Sequence, residues 1–549
     1  MVVDVSVFGR GLLGGAATSS ATVIFGGAAG RDTTYENGSI IATRTRAAAS
    51  GSVDVRVRAA GREVTLDDAY TFFDPRVATG GVWGGPIFGA VNVGVLNPES
   101  GMPIEGVVVQ LGYDADPTLR AVTDANGLAT ISTATLRGPQ TVTIGQNELE
   151  HVTYLEAEAR NVTLFASPFP QSAPPDAPLS PCPTPSGSAP IVRGQIFRVK
   201  SALDPDTRPG WIPVVRITYS QSTVFGPNPP QPAEQVDFVF ADGESYEIVV
   251  MRAGTVAVYA VLGDFNQTTQ EFVPRRMGIA RSVPAAPNQV TEGVNIALDL
   301  DLDYAVDLRL DAPPAQVPGP TINAVFPFLN LGSDGVIPFD PTAIAERQTI
   351  RVANLPNVPA ASFFYMSGSF TLAEGGGLSA PYSLTLGQSD DDPADGVDLG
   401  PFLSMPEDVL PKTGTLLEGG RLSWTQRGLR PDVTYVAVTD SRVVGGCCCM
   451  DLNQNGQCEA EEPPMCGGLP QSFQRWTVFA QGGLQSYPLP RMPSGVNAFE
   501  TPRIYQWLVQ QAVVPRFDGR EWIVNQYSPF FWKSWTLSFD AFLAKEETE

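Results

Sequence analysis

Residues 103–111 read Pro-Ile-Glu-Gly-Val-Val-Val-Gln-Leu, and residues 123–129 read Thr-Asp-Ala-Asn-Gly-Leu-Ala. Val107, Val109 and Leu111 alternate with Val108 and Gln110, a period of two that turns one face toward a core and the other toward water. Asp124-Ala125-Asn126-Gly127 between apolar runs is a turn with a mechanism: Asp and Asn bond nearby backbone, and Gly accepts a positive φ. The same alternation recurs at Val53-Val55-Val57 and at Ile296-Leu298-Leu300-Leu302. Helical spacing over three turns is hard to find. Its best candidate, Pro502 to Val514, has a β-branched and aromatic content that suits a strand equally. The expected class is all-β.

At 549 residues the chain exceeds one ordinary core, and about 100–200 residues per domain implies several. With 54 Gly, 49 Pro and 43% hydrophobic residues, it reads as a folded, turn-rich chain and not a disordered one. A net charge of −23 argues against nucleic-acid partners, because a phosphate backbone would be repelled over most of the surface. No stretch approaches the ~20 apolar residues that span a bilayer, and no secretory leader is visible at Met1.

Residues 1–75 carry Val2-Val3-Asp4-Val5-Ser6-Val7-Phe8-Gly9-Arg10-Gly11-Leu12, Val23-Ile24-Phe25-Gly26-Gly27, Gly51-Ser52-Val53-Asp54-Val55-Arg56-Val57 and Tyr70-Thr71-Phe72. Short strands separated by Gly turns are the pattern of a small sandwich. Their order and spacing resemble an IPT/TIG domain, an immunoglobulin-like fold. The family's opening Pro- and Gly-containing segment has no counterpart here, so Met1 is expected to begin a fragment. Residues 87–168, which hold the opening motifs, resemble a carboxypeptidase-regulatory-like (transthyretin-like) sandwich. That resemblance implies a spacer or binding module without catalysis.

Residues 169–190 are a Pro-rich linker containing Cys182. Residues 191–312, 313–405 and 406–549 hold further strand-like runs and are expected to form three more β-sandwiches, the first of which resembles the transthyretin-like pattern but lacks Thr-Asp-x-Asn-Gly. No repeat unit recurs, so the expectation is a tandem array of different Ig-like and transthyretin-like modules.

The last segment contains a Cys-rich insertion at 447–466. Within it, Asp451, Asn453 and Asn455 occupy positions 1, 3 and 5 of a twelve-residue loop, Gly456 position 6 and Glu462 position 12. A hard cation wants six to eight oxygens, which this spacing supplies through Asp451, Asn453, Asn455, the Gln457 carbonyl, Glu459 and Glu462. The expected ion is a structural Ca2+, and the plain alternative is an acidic Asn/Gly turn without an ion. Cys447-Cys448-Cys449 before the loop and Pro463-Pro464 after it leave no room for flanking helices. Cys447, Cys448, Cys449, Cys458 and Cys466, with Cys182, lack a zinc-like spacing and read as disulfide candidates whose connectivity is open.

Asp299, Asp301, Asp303 and Asp307 read as the solvated side of an alternating strand, and Asp390-Asp391-Asp392 with Asp395 and Asp398 as a solvated loop. His151 is the only histidine, so every Ser-His-Asp or Cys-His arrangement depends on it, and its place among strands is that of an ordinary exposed or packed histidine. No nucleophile-elbow, metalloprotease or phosphate-loop motif is present, and no enzyme is expected. Trp507, Trp522, Tyr527, Phe530, Phe531, Trp532 and Trp535 would stack on sugars if exposed and form core if buried. The expected function is non-enzymatic: an extracytoplasmic bacterial surface or secreted protein for adhesion, envelope structure or presentation of a face to a protein or polysaccharide ligand. A secreted polysaccharide-binding accessory protein is the alternative, and a carboxylate-pair glycoside hydrolase, whose residues carry no short signature, stands behind both.

Overall fold

The turn at 124–127 forms as its residues dictate. In the computed structural model the Asp124 carboxylate accepts the backbone N–H groups of Leu128 and Asn126, each at 2.9 Å. These bonds, that from Leu128 foremost, hold its carboxyl below the usual carboxylate range. Gly127 has φ +67°, and a Cβ there would lie 2.5 Å from the Val95 carbonyl oxygen. Both the conformation and the space therefore require glycine.

The structure describes residues 4–8, 21–37, 40–46, 51–59, 61–72, 80–98, 100–114, 116–169, 180–181, 189–199, 210–221, 236–250, 254–286, 288–311, 321–331, 334–344, 349–358, 362–372, 378–388, 396–411, 414–416, 420–444, 448–449, 464–465, 469–493, 495–497, 499, 503–515, 517–520, 522–523 and 532–544. The chain is all-β. Among the described residues helical geometry is limited to the 3-10 turn Pro117–Leu119 and to Asp334, and the ambiguous run near 502–514 is the strand Arg503–Val513.

The first sandwich sets a sheet of Asp4–Phe8, Arg31–Asn37 and Ile40–Arg44 against one of Thr22–Phe25, Ala28–Ala29, Gly51–Ala59 and Arg62–Phe72. Val23, Phe25, Ile41, Val55, Val57 and Phe72 fill the space between them. In the next segment Gly81–Pro86, Phe88–Leu96, Leu128–Arg137 and Ala159–Phe165 face Val108–Leu111, Arg120–Val122, Gln140–Gly145 and His151–Ala157. Val91, Val93 and Val95 meet Val107, Val109 and Leu111 in that core, as the alternation requires. A third sandwich packs Val192, Ile196 and Ile248 of one sheet against Val215, Ile217 and Val258 of another.

The alternating run 296–310 divides between two cores. Ile296 and Leu298 belong to the third sandwich. Leu302, Val306, Leu308 and Leu310 pack instead with Val325, Leu329 and Tyr365, and Tyr304–Leu310 pairs with Thr349–Leu355 and Val397–Leu399.

The largest element is a 14-stranded sheet that draws on three segments. It passes from Val108–Leu111 through Gln140–Gly145 and His151–Ala157 to Leu469–Gln481, Val433–Val444, Arg503–Val513 and Ser534–Ala544. It continues through Leu378–Gln388, Ser362–Leu372 and Thr321–Asn330. One buried cluster accordingly holds Val93 and Val109 together with Phe326, Phe370, Val433 and Trp535. A second covers another part of the sheet, where Trp424, Tyr487 and Met492 lie on Trp476, Trp507 and Phe542. The segments 87–168, 313–405 and 406–549 are thus joined laterally by backbone hydrogen bonds.

Candidate functional site

The join between the 87–168 sandwich and the C-terminal segment is a parallel pairing, with His151 opposite Trp476, Val152 opposite Thr477, Thr153 opposite Val478 and Tyr154 opposite Phe479. Parallel ladders are slightly weaker per residue than antiparallel ones, and polar side chains reinforce this one. Trp476 Nε1 donates to Thr153 Oγ1 at 3.0 Å, and Gln481 Nε2 donates to the Tyr154 hydroxyl at 3.0 Å. Further contacts close over it: Gln110 Nε2 donates to the Arg491 carbonyl at 3.0 Å, and Asn147 Nδ2 to the Gly495 carbonyl at 2.8 Å.

Two ionisable neighbours lie at the start of this seam. Glu150 immediately precedes the strand His151–Ala157 and His151 opens it, and the two side chains enter different surroundings. Glu150 is 6% exposed and its Oε1 bonds to the Thr477 hydroxyl. Burial pushes its carboxyl up to about 7, against the opposing hydrogen bonds from Thr477 and Ser167. His151 is 1% exposed. Its Nδ1 lies 3.3 Å from the Leu149 carbonyl, which can only accept, so the Nδ1–H tautomer is the one bound and Nε2 is left without a partner. Burial pushes this imidazole down to about 4; the Leu149 carbonyl opposes the shift, and the positive charge of Arg475 adds to it. A Cβ at residue 145 would lie 2.5 Å from His151 Cδ2, so Gly145 makes the ring's room. Of the two ordinary places for His151, exposed or packed, the structure shows the packed one.

The third sandwich carries an open groove of about 610 Å3, lined by Arg193, Gln195, Asp237, Glu247, Glu292 and Asn295 among others. Arg193 Nε donates to Glu247 Oε2 at 2.6 Å and Nη1 to Glu292 Oε1 at 3.0 Å. Two carboxylates on one guanidinium, with Asp237 held beside them by the Glu247 backbone N–H, give a polar floor of hydrogen-bond acceptors. These pairs are exposed, so they contribute little to stability and are screened by salt.

The calcium-loop residues Asp451, Asn453, Asn455, Gln457, Glu459 and Glu462 lie outside the described residues, as do Cys182, Cys447, Cys458 and Cys466. Cys448–Cys449 is a described strand, parallel to Ser180–Pro181 and antiparallel to Pro464–Met465. The backbone therefore brings the linker that holds Cys182 beside the Cys-rich insertion. Asp299, Asp301 and Asp307 form exposed ion pairs with Arg198, Arg276 and Arg351, and Asp398 pairs with Arg309. Asp390, Asp391, Asp392 and Asp395 lie outside the described residues. Among the described residues no group of three or more His, Cys, Asp or Glu side chains is arranged to hold a metal. Trp507, Trp532 and Trp535 are buried core, Trp522 lies in the strand Trp522–Ile523, and Tyr527, Phe530 and Phe531 lie outside the described residues.

Sequence reasoning missed Glu150 and the groove. Thr477 lies 327 residues from Glu150, and Arg193 lies 54 and 99 residues from its two carboxylates. The one available signal was a carboxylate beside the lone histidine at the head of an apolar strand.

No family model matches the chain, and no curated protein matches its sequence. Among solved structures it is similar to the native conformation of Escherichia coli alpha-2-macroglobulin, at 9% identity over 95% of this chain and TM-score 0.11. The chain spans 40% of that protein's length. It is also similar to a streptococcal ancillary pilin, at 11% identity over 48% of this chain and 80% of the pilin, with TM-score 0.12. A third is a tetra-tandem repeat from the extending region of a large adhesion protein, at 9% identity, TM-score 0.11, 83% of this chain and 99% of that one.

Proposed function

We propose that the chain is a non-enzymatic, extracytoplasmic surface or secreted protein that holds a binding face on a stiff array of sandwiches. The observation that carries this reading is the lateral joining of three segments into one 14-stranded sheet. A continuous ladder has no flexible linker at its joins, which suits a scaffold for adhesion, spacing or envelope structure. The face offered to a protein or polysaccharide is the polar groove around Arg193, on the sandwich whose Ala257, Tyr259 and Met277 pack against Val325, Leu329 and Tyr365 of that sheet. Burial of Trp507, Trp532 and Trp535 removes these three as a sugar-stacking platform, so the polysaccharide-binding accessory protein gains nothing from them. Among the described residues no helix is long and apolar enough to cross a membrane.

Disulfides among Cys182, Cys447, Cys448, Cys449, Cys458 and Cys466, and a structural Ca2+ in the 451–462 loop, fit an oxidising, calcium-rich exterior. Protease treatment of intact producing cells should release fragments of the chain, and alkylation before reduction should find no free thiol. Protection inside intact cells together with six reactive thiols would sink the proposal. For the ion, calcium should raise the thermal midpoint and excess chelator lower it, with neither effect in Asp451→Ala. Identical curves for both proteins would leave an ordinary acidic turn.

A further inference from the structure

The first sandwich leaves one strand outside its core. Among the described residues Arg62–Phe72 stands at the end of its sheet and pairs only with Gly51–Ala59. Val64 lies opposite Val57, and Leu66 opposite Val55. Residues directly opposite in a ladder share a face, so all four point toward the inside of the sandwich. Val55 and Val57 are buried there, yet Val64 is 58% exposed and Leu66 50%. Every residue from 61 to 69 is exposed. The facing sheet, with three described strands against four, does not cover this last one.

An edge strand offers a row of unpaired backbone groups, and charges commonly protect it by repelling a second strand. This edge carries Arg62, Glu63, Asp67 and Asp68, but their order is self-complementary. Let two copies run antiparallel about a twofold axis at Thr65. Arg62 then comes opposite Asp68, Val64 opposite Leu66 and Thr65 opposite itself, and the symmetry repeats the first two matches. The remaining pair sets Asp67 opposite Glu63. That glutamate is already held by two guanidinium groups, Arg58 directly and Arg56 at 3.5 Å, which leaves one positive charge in excess to meet Asp67. Moving the axis by one residue sets Arg62 opposite Leu66, or Val64 opposite Asp68. Only the Thr65 register matches charge with charge and apolar with apolar. Asp68, at φ 49° and with its N–H bonded to Asp54 Oδ1 at 3.0 Å, bends the strand and bounds the matched run at 62–68.

We propose that this edge is a contact between two copies of the chain, in which residues 62–68 pair antiparallel about Thr65 and join the two sandwiches through one continuous sheet. Val64 and Leu66 of each copy then cover those of the other on the inward face. A twofold contact uses the same edge on both chains, so the assembly closes at a dimer and does not grow into a fibre. This inference goes beyond the surface-scaffold reading and stands or falls separately from it.

Sedimentation of the full chain tests it. The wild type should pass from monomer to dimer as its concentration rises to about 100 μM. A chain that stays monomeric throughout overturns the proposal and leaves the edge solvated or open to a strand of another protein. Charge reversal then reads the register. Arg62→Asp and Asp68→Arg each set like charges opposite one another twice in a homodimer, so each should weaken self-association about tenfold or more. Mixed together, the two variants restore opposite charges at both places and should form a one-to-one dimer as tight as the wild type. Val64→Lys, which sets an ammonium against Leu66 of the second copy without touching the bend at Asp68, should abolish the dimer. A wild-type dimer that these substitutions leave unchanged, or a mixture no tighter than either variant alone, would put the contact elsewhere and overturn the assignment.

Discussion

At the scale of single residues, Glu150 and His151 titrate in opposite senses. Glu150 has its native pKa raised from 4.5 to about 7, so the native state holds the proton more tightly than the unfolded chain. Its contribution is complete below about 4.5 and is lost as pH rises through about 7. His151 has its native pKa lowered from 6.5 to about 4, so its contribution is complete above about 6.5 and is lost as pH falls through about 4. Each shift corresponds to about 3 kcal/mol, and over the shared range they nearly cancel. The urea midpoint of the unit containing the seam should therefore change little in the wild type between pH 4.5 and 6.5. In Glu150→Gln the unfolding free energy should rise with pH by about 2 kcal/mol over that range, and in His151→Phe it should fall by a similar amount. Parallel pH profiles for all three proteins would show that neither group titrates as its burial requires. Sequence alone marked His151 as an ordinary packed or exposed residue. It could not mark Glu150, because what raises a carboxyl is the company it keeps, and that company arrives from a strand far along the chain.

At the scale of strands, period-two alternation was legible and pairing was not. Alternation in Val53–Val57 and Val107–Leu111 names the buried face of each strand, and Val55, Val57, Val107, Val109 and Leu111 are buried. It carries no information about which strand lies alongside. The run 296–310 shows the limit: its alternation is real, yet its two ends serve different cores. Charged residues inside strands were equally silent. Asp440, on Val433–Val444, is buried and accepts a hydrogen bond from Arg503 Nε at 2.7 Å on the neighbouring strand. Sequence reading had taken the acidic clusters at 299–307 and 390–398 as the places to weigh, and it passed over this isolated aspartate. Arg503→Met should cost about 3–5 kcal/mol, because it leaves a buried carboxylate without its ion pair. Asp440→Asn combined with Arg503→Met should recover part of that loss, as the uncompensated charge is gone. Chemical denaturation of the single and double variants decides it, and an Arg503→Met variant as stable as the wild type would show that Asp440 is satisfied without the guanidinium.

At the scale of the whole molecule, composition and turn chemistry were enough to establish an all-β chain of sandwiches, since both are local properties. The lateral joining was not legible, because a ladder between strands hundreds of residues apart leaves no mark in either strand's own pattern. Its energetic consequence is testable at Trp535. This side chain lies on Ser534–Ala544, whose neighbours are Arg503–Val513 and Leu378–Gln388. It is also buried in the same cluster as Val142, Ile144 and Tyr154 of the 87–168 sandwich. Trp535→Ala should cost about 3–5 kcal/mol through lost burial and the cavity left behind. If the sheet and its shared core unfold together, hydrogen exchange should quicken at 140–157 as well as at 321–388 and 433–444. The separate core of 22–72 should keep its protection, since its cluster includes neither this tryptophan nor any residue of the sheet. Faster exchange confined to 378–388 and 503–544 would mean that the join transmits no stability, and that the segments behave as separate beads despite their common ladder. Cooperative loss across all three would show why a chain of this kind can hold a binding face steady: the backbone bonds that join its sandwiches also make them stand or fall together.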